Sequence, residues 1–461
     1  MRDVRHTRFG WWLEEAGPID PRPPLEGDTR ADVVVVGGGY LGLWTAWQLK
    51  ALEPGCDVVV LEAGLAGHGP SGRNGGFVST LWDDLPILRD RLGDTAAVAV
   101  ARASERPLDG IEEWCAREGV DAWFRRAPTL YVATSEAQVG SSDDAIAACA
   151  AVGAPEELRP ISAAELAARC SAGFHGGAIV RRSATVQPAR LALGLRDAVV
   201  RAGVRLHERS PVRRVTSDAS LLTAHGRVRA GSVVLAAGSS TAGFPGFRLA
   251  HAVASSHIVL TEPVPDVLAE LGWTGGEPIG DGQTLLHYLR TTRDGRIAFG
   301  WGGGRMGFGA RPLKRLELDR GVIATAARDL VRYFPALRGR RLTHAWGGPI
   351  DVSPTHLPIF GSRGRVHHGF GFTGNGVGPT YLGGEILARL ALDRRDELTR
   401  LGLVEPRRKL MPPEPLRWAG GSLIRSALIR AEAAQQVGRP VDPVTRLLTG
   451  LPRRLGLRLP R

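Results

Sequence analysis

The chain has 461 residues, 43% of them apolar and 60 of them glycine, with no Gly-X-Y period, so global disorder and a collagen-like architecture are excluded and a large packed interior is feasible. The formal net charge is +12, and residues 405–461 hold 12 Arg or Lys against 4 Asp or Glu, a net +8 that leaves +4 for residues 1–404. With the excess confined to one end and no basic stripe in the body, a nucleic-acid partner is not expected.

Residues 1–30 are Pro-rich and irregular, and Glu14 and Glu15 interrupt any apolar leader. The run Asp32 to Val36 predicts a buried strand, Gly37 to Gly42 a tight turn, Leu43 to Leu52 a helix and Cys56 to Leu61 a second buried strand. Val33 to Leu49 is uncharged for 17 residues, but its four glycines favour this strand-turn-helix over a membrane span. Helix is predicted over 88–118, strand over 129–134 and helix over 135–170. Pro188 opens a helix to Ala202. Ser232 to Ala237 reads as a buried strand, 249–305 as strand-rich, Leu316 to Tyr333 as a helix, and 342–372 as short strands and turns. Pro379 to Ala391 and Ser422 to Val437 read as helices, the latter with Leu423, Ala427 and Ala431 on one side and a break at Pro440 and Pro443.

Cys56, Cys115, Cys149 and Cys170 have neither metal spacing nor a secretory pairing pattern and read as buried thiols of a reducing cytoplasm. His356 and His367-His368 also lack metal spacing, so no metal is expected.

The pattern Gly-x-Gly-x-x-Gly occurs at Gly37/Gly39/Gly42, Gly302/Gly304/Gly307 and Gly369/Gly371/Gly374. Only the first has the full dinucleotide context: a buried strand, a helix, a second strand and an acid, Glu62, at its end. Gly37 permits the turn, Gly39 lets backbone approach a pyrophosphate, Gly42 lets the helix pack on the sheet, and Glu62 can accept ribose hydroxyls. The other two copies read as strand-end turns.

Just downstream stands Ser71-Gly72-Arg73-Asn74-Gly75-Gly76, and further on come Ala178 to Pro188, Pro211-Val212, Ala237-Gly238, Trp346 to Gly361 and Gly371 to Gly384. With these pieces in this order, the chain resembles the D-amino-acid-oxidase-like superfamily of FAD oxidoreductases over residues 8 to about 392, within the branch of gamma-glutamylputrescine oxidase and related amine oxidases. The resemblance implies an α/β fold in which a Rossmann-like FAD domain (28–88, 186–248 and 343–395) is interleaved with a mixed or antiparallel-sheet substrate domain (89–185 and 249–342), followed by the basic helical tail 405–461. It implies an FAD site formed by Gly37, Gly39, Gly42, Glu62, Ala63, Ser71, Arg73, Asn74, Gly75, Gly76, Val212, Ala237 and Gly238. Gly374, Asn375, Gly376 and Val377 would open a helix toward the reduced flavin.

Relatives that bind FAD covalently use a late Cys or a His near the ribose acid. No Cys follows residue 170, and the His position falls on Arg73 with His68 nearby, so noncovalent FAD is expected. Amino-acid-oxidising relatives place a carboxylate-clamping Arg four residues after the Trp of Trp-x-Gly; here that residue is Ile350. Asp351 either faces an ammonium or caps a turn. The lysine that sarcosine-oxidising relatives hold over the flavin aligns with Ala298, which leaves oxygen or another electron acceptor open. Further substrate candidates are His287, Tyr288, Arg290, Trp301 and Arg305, with His287 and Tyr288 on opposite strand faces; Arg290 or Arg305 would hold a distal anion. The expected function is FAD-dependent oxidation of an amine to an imine. The alternatives are an amino-acid or N-methylglycine oxidase, and a catalytically silent flavin-binding module docked by its tail to a partner or membrane surface. The tail is expected to lie outside the active site.

Overall fold

A computed structural model describes residues 4–216, 218–311, 314–406 and 409–457. The all-apolar run Val33–Val36 forms the buried end of the strand Thr29–Val36. Parallel strands Val58–Leu61 and Arg227–Leu235 flank it, and Arg205–His207 lies beyond Val58–Leu61. The sheet is completed by Ser220–Leu222, Arg214–Val215, Ile359–Arg363 and Val366–Phe370. Strands buried on both faces need helices on both sides or a layer that replaces one. Tyr40–Leu52 and Val377–Ala391 cover one face so closely that a Cβ on Gly384 would lie 2.6 Å from Trp44 Cβ.

The second sheet is mixed and has nine strands. Its centre is antiparallel: Leu342–Val352, Ala252–Thr261, Ile297–Trp301 and His287–Thr291. Ile279–Asp281 joins that group in parallel to Thr129–Val132. A small third sheet pairs Ser183–Thr185 with Phe77–Ser79 and Arg125–Arg126.

Several expected elements shift. The boundary expected at 343 falls inside Leu342–Val352, whose ladder runs along Ala252–Thr261, so this strand belongs to the nine-stranded sheet. The helix expected over 88–118 is three helices, Leu85–Leu92, Asp94–Ala103 and Arg106–Glu118, separated at Gly93 and at Ser104-Glu105. Within 135–170 the segment Leu158–Ile161 is a strand; its ends are buried and Arg159 and Pro160 exposed, and its place at the sheet edge tolerates the proline. The helix expected from Leu316 starts at Arg320, where Asp319 caps it by accepting from the Gly321 and Val322 N–H groups. In the tail, Leu416–Gln436 is one helix, and Pro443 starts a second, Pro443–Arg454, at the position where proline's missing N–H costs nothing. No described helix is long and apolar enough to cross a membrane.

The strand His287–Thr291 alternates as expected, and His287 points away from Tyr288 into the core under the helix Arg320–Tyr333. Its ring nitrogens meet Asp281 at 2.9 Å and Asp329 at 3.2 Å, and Tyr333 Oη donates to Asp281 at 2.5 Å. Burial opposes a charge there, but Asp281 and Asp329 outweigh it and push the imidazole up to about 9. A folded value above the ordinary ~6.5 stabilises fully below that pH and is lost as pH rises through the folded value. The wild type should therefore lose stability between pH 7 and 10, on the order of 2–3 kcal/mol, and His287→Gln should lose much less. Thermal melts of both proteins across that range check this; parallel pH curves would refute it.

Candidate active site

A cavity of ≈ 1820 Å³ runs between the two large sheets. This exceeds the roughly 300–1,000 Å³ of single small-ligand sites, so a dinucleotide and a second molecule fit together.

One end is built from the first glycine turn. Gly37 has φ 111° and donates to Leu61 O at 2.9 Å, and a Cβ on it would lie 2.4 Å from Ala236 O. A Cβ on Gly42 would lie 1.9 Å from Gly37 O, which fixes the helix Tyr40–Leu52 close against the turn. Gly39 caps that helix, and the Tyr40 N–H donates to Ser71 Oγ at 2.9 Å. First-turn N–H groups of a helix have no intrahelical acceptor, so this end presents positive potential to the cavity. Glu62 lines it as well and accepts the Gly38 and Gly64 N–H groups, both at 2.7 Å. Burial raises the Glu62 carboxyl, and these two bonds work against the rise. Ala63, Val212, Ala237 and Gly238 line the same end.

The segment Ser71 to Gly76 holds itself in shape. Asn74 donates to Pro70 O at 3.1 Å and Ser71 O at 2.8 Å and accepts the Gly76 N–H at 2.7 Å. Arg73 is 6% exposed, donates to Arg8 O at 2.9 Å and pairs with Glu317, the partner that offsets the effect of burial on its guanidinium. Gly374, Asn375, Gly376 and Val377 line the cavity at the start of the helix Val377–Ala391. Of the residues expected to hold FAD, Gly42 and Gly76 do not line the cavity: Gly42 packs on the turn, and Gly76 accepts the Val186 N–H behind the wall. The others converge. A side-chain-free turn at a helix start, an acid at the second strand end and a second helix start fit a dinucleotide whose phosphates and ribose need those partners. None of the four cysteines, nor His68, lines the cavity.

The other end is walled by the nine-stranded sheet. Trp346 Nε1 donates to Arg73 O at 2.8 Å, and Gly347 to Asp351 continue the wall. Tyr288 lies over Gly300 and beside Gly75, hydrogen-bonded to Ser256 Oγ at 2.7 Å, with burial pushing its phenol up to about 12. Ile350 faces the cavity. Asp351 also lines it, and its Oδ2 accepts the Gly371 N–H at 2.6 Å, tying the wall to the loop before Gly374; burial raises its carboxyl, with His251 opposing.

Four candidates stand elsewhere. His287 and Trp301 pack behind the sheet, ring against ring at 6.0 Å. Arg290 does not line the cavity: it is buried, donates to Thr291 O, Gly76 O and Val186 O at 3.1, 3.4 and 2.5 Å, and is pushed down to about 9 by burial and by Arg125. Arg305 is exposed and paired with Asp319. Neither arginine is placed to hold a substrate anion: Arg290 does not reach the cavity, and Arg305 is exposed outside it and held by a carboxylate.

The tail, expected outside the active site, closes it instead. Gly420, Gly421, Ile424, Arg425, Leu428, Ala431, Glu432 and Gln435 line the cavity, as do Leu451, Pro452 and Arg453 of the second tail helix and Leu455 just after it. Arg417 donates to Arg248 O at 2.9 Å and His251 O at 3.1 Å, Gln436 donates to Thr134 O at 2.9 Å, and Glu432 accepts the Leu285 N–H at 2.9 Å. Leu423, expected on the packed side with Ala427 and Ala431, is 47% exposed. The available signal was the three-to-four spacing of Gly420, Ile424, Leu428 and Ala431, a stripe at helical period. Burial pushes Glu432 up to about 7, aided by Asp281.

The profile of the DAO family, "FAD dependent oxidoreductase", matches residues 32–390. The chain belongs to this family. It is an FAD-dependent oxidoreductase, and its tail lies beyond the matched region. It is 30% identical over 395 residues to gamma-glutamylputrescine oxidoreductase of Escherichia coli, covering 84% of this chain and 89% of that one. It is 28% identical to glycine oxidase of Pseudomonas putida, covering 71% and 85%. In fold it is similar to glycine oxidase from Geobacillus kaustophilus, with a TM-score of 0.65 at 20% identity over 80% of this chain and 96% of the other.

Glu62→Ala should weaken FAD by about 1–3 kcal/mol, the worth of a charge-assisted hydrogen bond. Fluorescence titration of apoprotein with FAD measures the change; unaltered affinity would remove Glu62 from the site.

Proposed function

We propose that this protein oxidises the C–N bond of a primary or secondary amine to an imine, which water hydrolyses to a carbonyl compound and an amine or ammonia, with no requirement for an α-carboxylate. The observation that carries this reading is Ile350. The resemblance puts a carboxylate-clamping arginine at that position; the side chain present lines the cavity and cannot pair with an anion. Burying a carboxylate against it would cost several kcal/mol. The similarity to gamma-glutamylputrescine oxidoreductase supports an amine substrate. The similarity to glycine oxidase favours the second reading, an amino-acid or N-methylglycine oxidase.

The family's FAD, when bound, supplies the hydride acceptor. The polypeptide has less acid–base work to do. Tyr288 Oη, held on Ser256 and pushed up to about 12, keeps its proton at neutral pH and offers a neutral polar contact to an uncharged amine. Asp351 is engaged by the Gly371 N–H. Oxidation of the amine would remove a hydride from carbon, which bound FAD would accept, and a proton from nitrogen, which would pass to solvent; the two electrons would go on to oxygen or another acceptor. The tail helix supplies one wall of the cavity. We also propose that the FAD is noncovalent, since neither a cysteine nor His68 reaches the cavity, and that the four free, buried thiols belong in a reducing cytoplasm.

Acid precipitation should leave FAD in a yellow supernatant; flavin retained in the pellet would overturn noncovalent binding. In anaerobic bleaching and in kcat/KM, simple primary and N-methyl amines should exceed glycine and alanine. Ile350→Arg should shift the ratio toward α-amino acids by roughly ten- to a hundredfold, the worth of a charged hydrogen bond. A wild-type preference for α-amino acids would establish the second reading.

A further inference from the structure

We propose that Arg425, on the tail helix Leu416–Gln436, holds a carboxylate on the substrate remote from the reacting amine, so that the C-terminal tail sets substrate specificity. This rests on the amine-oxidation reading and deepens it.

Arg425 lines the cavity and is half-buried. Its Nε donates to Gly303 O at 2.9 Å and Gly304 O at 2.7 Å, and Nη2 donates to Gly303 O at 2.7 Å. These bonds fix the plane of the guanidinium. Nη1, which carries two further N–H groups, has no acceptor among the described residues, and no carboxylate lies within ion-pair distance of the side chain there. Asp319, whose charge favours the Arg425 cation, is held by Arg305. A desolvated guanidinium without a contacting counter-charge is costly unless an anion completes it, and a planar fork with one end free suits a carboxylate.

The position is informative too. A Cβ on Gly304 would lie 2.0 Å from Ser255 O, so the Arg425 anchor packs directly on Ser255. Ser255 is the ladder partner of Pro349, and Ala254 that of Ile350. The cation therefore stands next to the wall that carries Ile350, on a helix instead of on the strand. The other cavity arginines are engaged or misplaced: Arg8 and Arg73 pair with Glu317, Arg417 with Glu414, and Arg213 and Arg453 are exposed. Ile424 and Leu428 on the same helix offer an apolar path for methylenes between anion and amine.

The test uses the full-length, FAD-loaded enzyme with Arg425→Gln and Arg425→Lys. Straight-chain ω-amino acids of four to six carbons are compared with n-alkylamines of equal length, and glutarate binding is followed by the shift it causes in the flavin spectrum. Arg425→Gln should raise KM for the ω-amino acids about ten- to a hundredfold, the range of a charged hydrogen bond. Because Arg425 also fastens the tail helix, KM for the alkylamines should rise too, but severalfold less, so that the ratio between the two classes shifts and glutarate weakens by about the factor seen for the ω-amino acids. Arg425→Lys, which keeps the charge and a donor for Gly303 O, should recover part of the loss. Equal wild-type handling of the paired amines, or parallel losses on both classes, would overturn the assignment. If no amine bleaches the wild-type flavin, the amine reading fails, while glutarate binding still reads the Arg425 site by itself.

Discussion

The bond from Trp346 Nε1 to the carbonyl of Arg73, 2.8 Å long, joins the two halves of the active site. Trp346 lies in the middle of Leu342–Val352, so its ring fixes the height of the wall from Gly347 to Asp351. Arg73 lies in the segment that brings Ser71, Asn74 and Gly75 to the cavity. The ring is wholly buried, and its single polar atom would cost about 1–3 kcal/mol if left unpaired. Gly10 closes over it from the N-terminal helix: with φ 80° and a hypothetical Cβ only 2.8 Å from the indole, no larger residue fits. Tyr288, three strands along the same sheet, repeats the joint, packed beside Gly75 and edge-on to Phe77 at 5.8 Å. The wall and the segment from Ser71 to Gly75 are therefore held against each other at two points, which fixes the width of the cavity between them.

The tail gives the cavity its remaining side. Its positive charge reads in the sequence as a surface for docking, yet two of its arginines are spent inside the molecule. Arg417 and Arg425 both donate to main-chain carbonyls, which attract a guanidinium without neutralising it; Arg417 is neutralised by Glu414, and Arg425 has no such partner among the described residues. Glu432, two turns beyond Arg425, answers from the other direction by accepting a main-chain N–H. The helix is thus fastened by side chains to backbone, a mode that depends on the path of the opposing chain and little on its side chains. A lid of this kind can be added to a fold whose matched region ends at residue 390 without redesign of the two sheets.

What could be read before the structure was local. The turn from Gly37 to Gly42 and the acid at Glu62 are set by short-range sterics and a fixed register, and they stand where the motif requires. The strand alternation at His287 and Tyr288 was also legible, but the face toward the cavity was not, since that depends on which sheet lies opposite. Arg290 and Arg305 looked equally available as cations. Their carbonyl and carboxylate partners come from residues 76, 186 and 319, distant in sequence or on another element. The tail stripe announced a buried helix face without naming the surface beneath it, and so the wall of the site was assigned to the outside. The strand at Leu158–Ile161 was missed because an alanine-rich surrounding favours helix, and only pairing with Gly177–Val180 decides otherwise.

The second Gly-x-Gly-x-x-Gly copy gains a reason from the tail. As a phosphate motif it has no helix to open, and as a strand-end turn it would need fewer glycines than Gly302, Gly303, Gly304 and Gly307. Side chains are excluded there from two directions. A Cβ on Gly303 would lie 2.1 Å from the Trp301 ring, and one on Gly304 would meet Ser255 O. Opposite them, Gly421 approaches Met306 so closely that a Cβ would lie 2.9 Å from its methyl carbon. Bare backbone on one side and a small residue on the other let the helix come near enough for Arg425 to reach two successive carbonyls. The same pattern of residues that brings the backbone and a helix start to the cavity at Gly37–Gly42 here exposes C=O groups to a guanidinium, because what glycine supplies in both places is close approach, and the strand's end decides which backbone atom is presented.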